Sequence, residues 1–66
     1  MNISPIKIEA LLAELGMTHL KLAERSGISA QHISAIVRRG TCQPRTAGKL
    51  AAGLGVSVTD ILEGGN

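Results

Sequence analysis

The chain has 66 residues, a formal net charge of +2, one cysteine and no Phe, Tyr or Trp. A chain this short is expected to form a single domain, residues 1–66, whose core buries at most roughly 60% of the unfolded surface. The missing rings exclude base stacking on aromatic platforms, aromatic cages for quaternary ammonium groups and catalysis by Tyr, and so small a core leaves little room for a large ligand cavity.

Apolar residues make up 44% of the chain, too many for a disordered one. With Cys42 alone, an intramolecular disulfide and a cysteine-based zinc site are both excluded. The apolar runs are too short to span a membrane, and the start, Met1-Asn2-Ile3-Ser4-Pro5, lacks the pattern of a signal peptide. A cytoplasmic protein with no membrane partner is expected. Charge is unevenly placed. Residues 25–59 carry Arg25, Arg38, Arg39, Arg45 and Lys49 and no carboxylate, whereas Glu9, Glu14, Glu24, Asp60 and Glu63 flank them. A long stretch with cations alone points to a polyanion partner, or to a solvated face.

Small hydroxyl residues, prolines and glycines divide the chain into five short helices. Ser4 is an N-cap with Pro5 at the first helical position, and Ile8, Leu11, Leu12 and Leu15 follow with the spacing of one buried face up to Gly16. Thr18 caps a second helix, His19 to Ser26, with Leu22 and Ala23 inward; Gly27 permits the sharp turn after it. Ser29 caps a third helix with Ile33, Ile36 and Val37 inward, ending at Gly40. After the loop Thr41-Cys42-Gln43, Pro44 starts a fourth helix with Leu50, Ala51 and Leu54 inward, closed by Gly55. Ser57-Val58-Thr59-Asp60 matches a capping box for a last short helix holding Ile61 and Leu62. Residues 64–66 are expected to fray, and no strand pattern is found. With no rings to fill the core, close helix approaches are expected at Ala13, Ala23, Ala47 and Ala51.

Residues 18–39 form the informative unit. A short helix with Leu22-Ala23 in its middle is followed by Gly27-Ile28-Ser29 and a second helix with Ile33 and Ile36 inward. Ala23 lets the second helix approach, Gly27 bends the chain, Ile28 plugs the corner and Ser29 satisfies free N–H groups, the requirements of a helix-turn-helix. The segment resembles the phage repressor and Cro-like (xenobiotic-response-element type) helix-turn-helix family. Lys49-Leu50-Ala51-Ala52-Gly53-Leu54-Gly55-Val56-Ser57 is similar to that family's closing stretch, so the likeness runs from about residue 6 to 62. It implies an all-α, five-helix, lambda-repressor-like domain that places its third helix in the major groove, usually as a two-fold dimer.

The chain departs from the family at three places. His19 stands where Gln is common, a residue that contacts a phosphate and braces the recognition helix. Val37-Arg38-Arg39-Gly40 stands where Glu-Asn-Gly is usual, which lengthens the third helix by one residue and rearranges the loop. Ala52-Gly53 replaces a more helix-favouring pair, and the glycine costs up to about 1 kcal/mol.

At about 100° per residue, with Ile33, Ile36 and Val37 set inward, Gln31, Ala35 and Arg38 point outward with Ser34 at the edge, and His32 and Arg39 share a flank. The resemblance marks Ala30, Gln31, Ser34 and Ala35 as base-reading. Gln31 can bond adenine N6 and N7 together, and Ala30 or Ala35 can touch a thymine methyl; Ser34 can bond several bases and specifies little. Arg38 can read guanine or hold a phosphate, the commoner destination, and with Arg39 it also complements the helix dipole. Phosphate contacts are expected from Thr18, His19, Arg38, Arg39, Arg45, Thr46 and Lys49, mostly around the N-termini of the second and fourth helices. Ordinary capping explains Thr18 and Thr46 equally well.

His19, His32 and Cys42 match no metal-site spacing, and no catalytic pair, phosphate loop or cofactor motif is present. The expectation is a non-enzymatic repressor of phage or mobile-element type, without cofactor or small-molecule ligand. It would read a two-fold operator in double-stranded DNA as a homodimer through Val58, Ile61 and Leu62. The alternative is an antitoxin or adaptor that also binds a protein.

Overall fold

A computed structural model describes residues 1–64; of the expected frayed tail, residues 65 and 66 lie outside them. Four α-helices follow one another: α1 Pro5–Leu15, α2 His19–Ser26, α3 Ala30–Arg39 and α4 Pro44–Leu54. The fifth element is a single 3-10 turn, Val58–Ile61, not an α-helix. Asp60 Oδ2 accepts the Ser57 N–H at 3.0 Å at its start. The turn stops because the next backbone is used elsewhere. Leu62 is extended (φ −77°, ψ 142°) and pairs antiparallel with Ile3.

The cap residues explain the helix starts. Ser4, Thr18 and Ser29 each place a side-chain oxygen 3.1–3.2 Å from the N–H three residues on, at Lys7, Lys21 and His32. Each is extended, so it offers its oxygen to a first-turn donor that has no helical partner. Gly16, Gly27, Gly40 and Gly55 close the four helices in the left-handed conformation that side chains resist.

The core is aliphatic throughout. Ile8 and Leu12 from α1, Leu22 from α2, Ile33 and Ile36 from α3, and Ala47, Leu50, Ala51 and Leu54 from α4 are buried together with Ile28 at the α2–α3 corner. α2 packs chiefly on α4. Ala47 and Ala51 are buried and Ala23 half-buried, but Ala13 is exposed, because it lies one residue, about 100°, round the helix from Leu12. Leu15, expected inward, is 49% exposed at the end of α1, where the chain turns away at Gly16.

Two further features had no counterpart in the sequence-based expectation. Ile3, before any helix, is fully buried. It reaches the core because residues 1–4 run as an extended lace between two segments. Ile3 N–H donates to Gly40 O (3.0 Å), Cys42 N–H to Met1 O (3.0 Å), Ser4 N–H to Ile61 O (2.7 Å) and Glu63 N–H to Asn2 O (3.2 Å). The bridges Asn2–Thr41 and Ile3–Leu62 are the strand-like pairing that no alternating pattern announced.

The second is Gly53, which is buried. A Cβ built there would lie 3.0 Å from Leu22 Cδ1 and 3.0 Å from Ser26 Cβ. The glycine lets α4 approach α2 closely, and its propensity cost is exchanged for that contact.

Candidate nucleic-acid interface

α3 presents its outward strip as its periodicity requires. Ile33 and Ile36 are buried and Val37 packs against the core, while Gln31, Ser34 and Arg38 are exposed; Ala30 and Ala35 are half-buried beside them. The strip thus offers an amide, a hydroxyl and a guanidinium between small apolar side chains. These groups can bond base edges and phosphates without further rearrangement of the core.

The first turn of α2 lies against this strip. His19 Nδ1 is 3.4 Å from Ser34 Oγ, which ties α2 to α3. Its other nitrogen, Nε2, is 2.9 Å from Glu9 Oε2 on α1. Both ring nitrogens therefore have a partner within the protein, and the bracing half of its expected role has a contact. Thr18 is the N-cap of α2, its hydroxyl oxygen accepting from Lys21 N–H. Glu9 had no local signal in the sequence. It is separated from His19 by the α1–α2 turn, and only the packing of the two helices joins them.

On the other side of α3 a cleft of about 320 Å³ is lined by His32, Ile36 and Arg39 from α3, Thr41, Cys42 and Gln43 from the loop, and Thr46 from α4. His32 and Arg39 share this wall, as their helical spacing places them. Gln43 is the N-cap of α4 but makes no side-chain capping bond. The first turn of α4 consequently keeps donors available beside Thr46, a favourable place for an anion. Arg45 and Lys49 are exposed one helical turn apart on the same helix. Cys42 is a half-buried free thiol, and burial pushes its pKa up while the N-terminal ammonium pulls it partly back.

The electrostatics favour a polyanion. Arg25, Arg38, Arg39, Arg45 and Lys49 are all exposed, and among the described residues the ion pairs are His19–Glu9 and Lys21–Glu24, which use none of the five. Among the described residues no cluster of three or more His, Cys, Asp or Glu could hold a metal ion, and no helix is long and apolar enough to cross a membrane.

The expected dimer residues divide. Val58 and Leu62 are half-buried and retain exposed surface, but Ile61 is fully buried inside the protomer. It faces the core because the Ser4–Ile61 hydrogen bond draws the turn onto the start of α1. Ile61 is therefore a core residue and offers nothing to a partner.

No individually curated protein and no solved structure matches the chain. A family model described as helix-turn-helix matches residues 8–61, which is α1 from its first turn through the 3-10 turn. The matched span carries the capped α2–α3 pair, the exposed α3 strip and the unpaired cations, and the chain belongs to the Cro/C1-type helix-turn-helix family of DNA-binding transcription regulators.

Proposed function

We propose that the protein is a repressor of phage or mobile-element type that binds a two-fold operator as a homodimer, with α3 in the major groove. The observation that carries this reading is the exposed α3 strip in a chain whose cations Arg25, Arg38, Arg39, Arg45 and Lys49 are all exposed and without acidic partners. Gln31 is the principal base reader, with Ala30, Ser34 and Ala35 beside it. Arg38, Arg39, Arg45, Thr46 and Lys49 hold phosphates on both sides of the groove, with Arg45 and Thr46 at the uncapped end of α4 and Lys49 one turn along.

A dimer is favoured because a module 26 Å in its longest dimension reads only a few base pairs. Half-sites one turn apart lie about 34–36 Å centre to centre, so two such domains meet only at their margins. The margin proposed is the terminal turn, Val58 and Leu62, with Ile6 beside it. Ile6 is 82% exposed and sits in the first turn of α1, where Ser4 N–H and Lys7 Nζ bond to the carbonyls of Ile61 and Leu62.

Selection of binding sites from random duplexes tests the reading. A symmetric enriched motif is the expected result; enrichment of no sequence over bulk DNA would overturn it.

A further inference from the structure

The ring of His19 is held at both nitrogens, and the two partners are chemically unlike. Glu9 Oε2, 2.9 Å from Nε2, belongs to a carboxylate, which when ionised can only accept a hydrogen bond. Ser34 Oγ, 3.4 Å from Nδ1, can donate or accept. The carboxylate therefore requires the proton on Nε2. A neutral imidazole has one N–H, so Nδ1 is left with a bare lone pair and the Ser34 hydroxyl must supply the hydrogen between them. Once its hydrogen is turned inward, Ser34 shows only lone pairs to the outside.

We propose that Glu9, from outside the helix-turn-helix, is a positioning residue for base recognition: acting through His19, it makes Ser34 a hydrogen-bond acceptor on the recognition surface. This rests on the reading of α3 as the helix in the major groove. An unconstrained serine bonds to any base and specifies little, but an acceptor-only serine favours the groove's donors, adenine N6 and cytosine N4, over the acceptors of guanine and thymine. Glu9 also sets a negative charge, its side chain 52% exposed, next to the surface that meets phosphates. It lowers affinity for every sequence while sharpening the choice at one base.

These two effects have different signatures, which makes the proposal testable at pH 8 with duplexes differing only at the base facing Ser34. The wild-type protein is expected to prefer adenine or cytosine there by about fivefold, the contribution of one net hydrogen bond. Glu9→Ala should abolish that preference, leave the preferences at other positions intact and raise affinity for all duplexes. Glu9→Gln removes the charge, so it should raise affinity equally, but its amide can accept from Nε2–H or donate to a bare Nε2, so the preference should fall below that of the wild type. In Ser34→Ala the preference should be absent and Glu9→Ala should no longer alter it. Retention of the full preference in both Glu9 variants overturns the proposal. The nitrogen chemical shifts of His19 in the free protein provide a check without DNA: the proposal requires a protonated Nε2 and a bare Nδ1, and a protonated Nδ1 in the neutral ring overturns it. If the wild-type protein shows no base preference at any position, the DNA-reading function itself fails, whatever the tautomer.

Discussion

Gly53 on α4 meets Ser26 on α2 with little room for a side chain: a Cβ at residue 53 would stand 3.0 Å from Ser26 Cβ and 3.2 Å from Ser26 Cα. Gly48, one and a half turns earlier on the same helix, has nothing within 4 Å of the corresponding point. The two glycines therefore respond oppositely to alanine. Gly48→Ala should stabilise the protein by about 0.5–1 kcal/mol through helix propensity and the entropy of the unfolded chain. Gly53→Ala gains the same propensity, but it forces α2 and α4 apart. Overpacking costs about 1–3 kcal/mol, so the net change should be destabilising. Urea unfolding of both variants measures the difference, and equal stabilisation by both would show that the α2–α4 contact yields freely.

The contrast marks what could be read from the residues. The four α-helices were legible because each begins at a hydroxyl cap or a proline and ends at a glycine, local signals that need no tertiary information. The α3 strip was legible for the same reason, since periodicity alone turns Gln31, Ser34 and Arg38 away from Ile33 and Ile36. Gly53 was legible only as a defect, because what it touches lies on another helix. Ile3 and the Glu9–His19 contact were hidden for that reason too: a lone apolar residue before the first cap and a glutamate in mid-helix have no spacing that announces a distant partner.

The N-terminal lace should contribute to stability out of proportion to its length. Ile3 is fully buried, and its backbone neighbours join the α3–α4 loop to the terminal turn. Ile3→Ala is expected to cost about 2–5 kcal/mol, as for other large-to-small changes in a core. In a domain of this size that is much of the total stability. Ile6→Ala, three residues on but 82% exposed, should fall within about 0.5 kcal/mol of the wild type. Thermal unfolding of the pair tests the assignment of Ile3 to the core.

Cys42 gives stability a pH dependence of known sign. Its folded pKa is raised by burial, so the folded protein holds the thiol proton more tightly than the unfolded chain does. This contribution is complete below the unfolded thiol's value, about 8.5, and is lost as pH rises from there through the folded value. Unfolding measured between pH 7 and 10 should show a decline that is shallower in Cys42→Ala. Alkylation of the folded protein at pH 8 should also be slower than that of the urea-unfolded chain.

Self-association should depend on Ile6 and not on the buried Ile61. Ile6→Glu places a charge on the exposed margin beside Leu62, and it should leave monomer stability nearly unchanged while lowering dimerisation and cooperative operator binding. Ile61→Ala should act in the opposite way, costing about 2–5 kcal/mol of stability because its side chain is inside the protomer. Sedimentation at several concentrations, with and without operator, separates the two. A protein that stays monomeric even on DNA would remove the homodimer from the proposed function.

The recognition surface should separate sequence reading from charge. Gln31 is exposed on the outward strip of α3, where its amide can pair with adenine N6 and N7, a contact worth about 1–3 kcal/mol of discrimination. Gln31→Ala is therefore expected to relax preference at one position in each half-site and leave the salt dependence unchanged. Arg45 is exposed at the first turn of α4, beside an end that no side chain caps. Arg45→Ala should weaken binding to all sequences alike and reduce the slope of log affinity against log salt by about one. With Arg38, Arg39, Arg45 and Lys49 meeting phosphates, the wild-type slope should be about −4 for each domain. The two variants compared on the selected motif and on unrelated duplex, across a salt series, distinguish these roles. If Gln31→Ala changed the slope, or Arg45→Ala changed the motif, the base-reading and phosphate-holding faces would have to be exchanged.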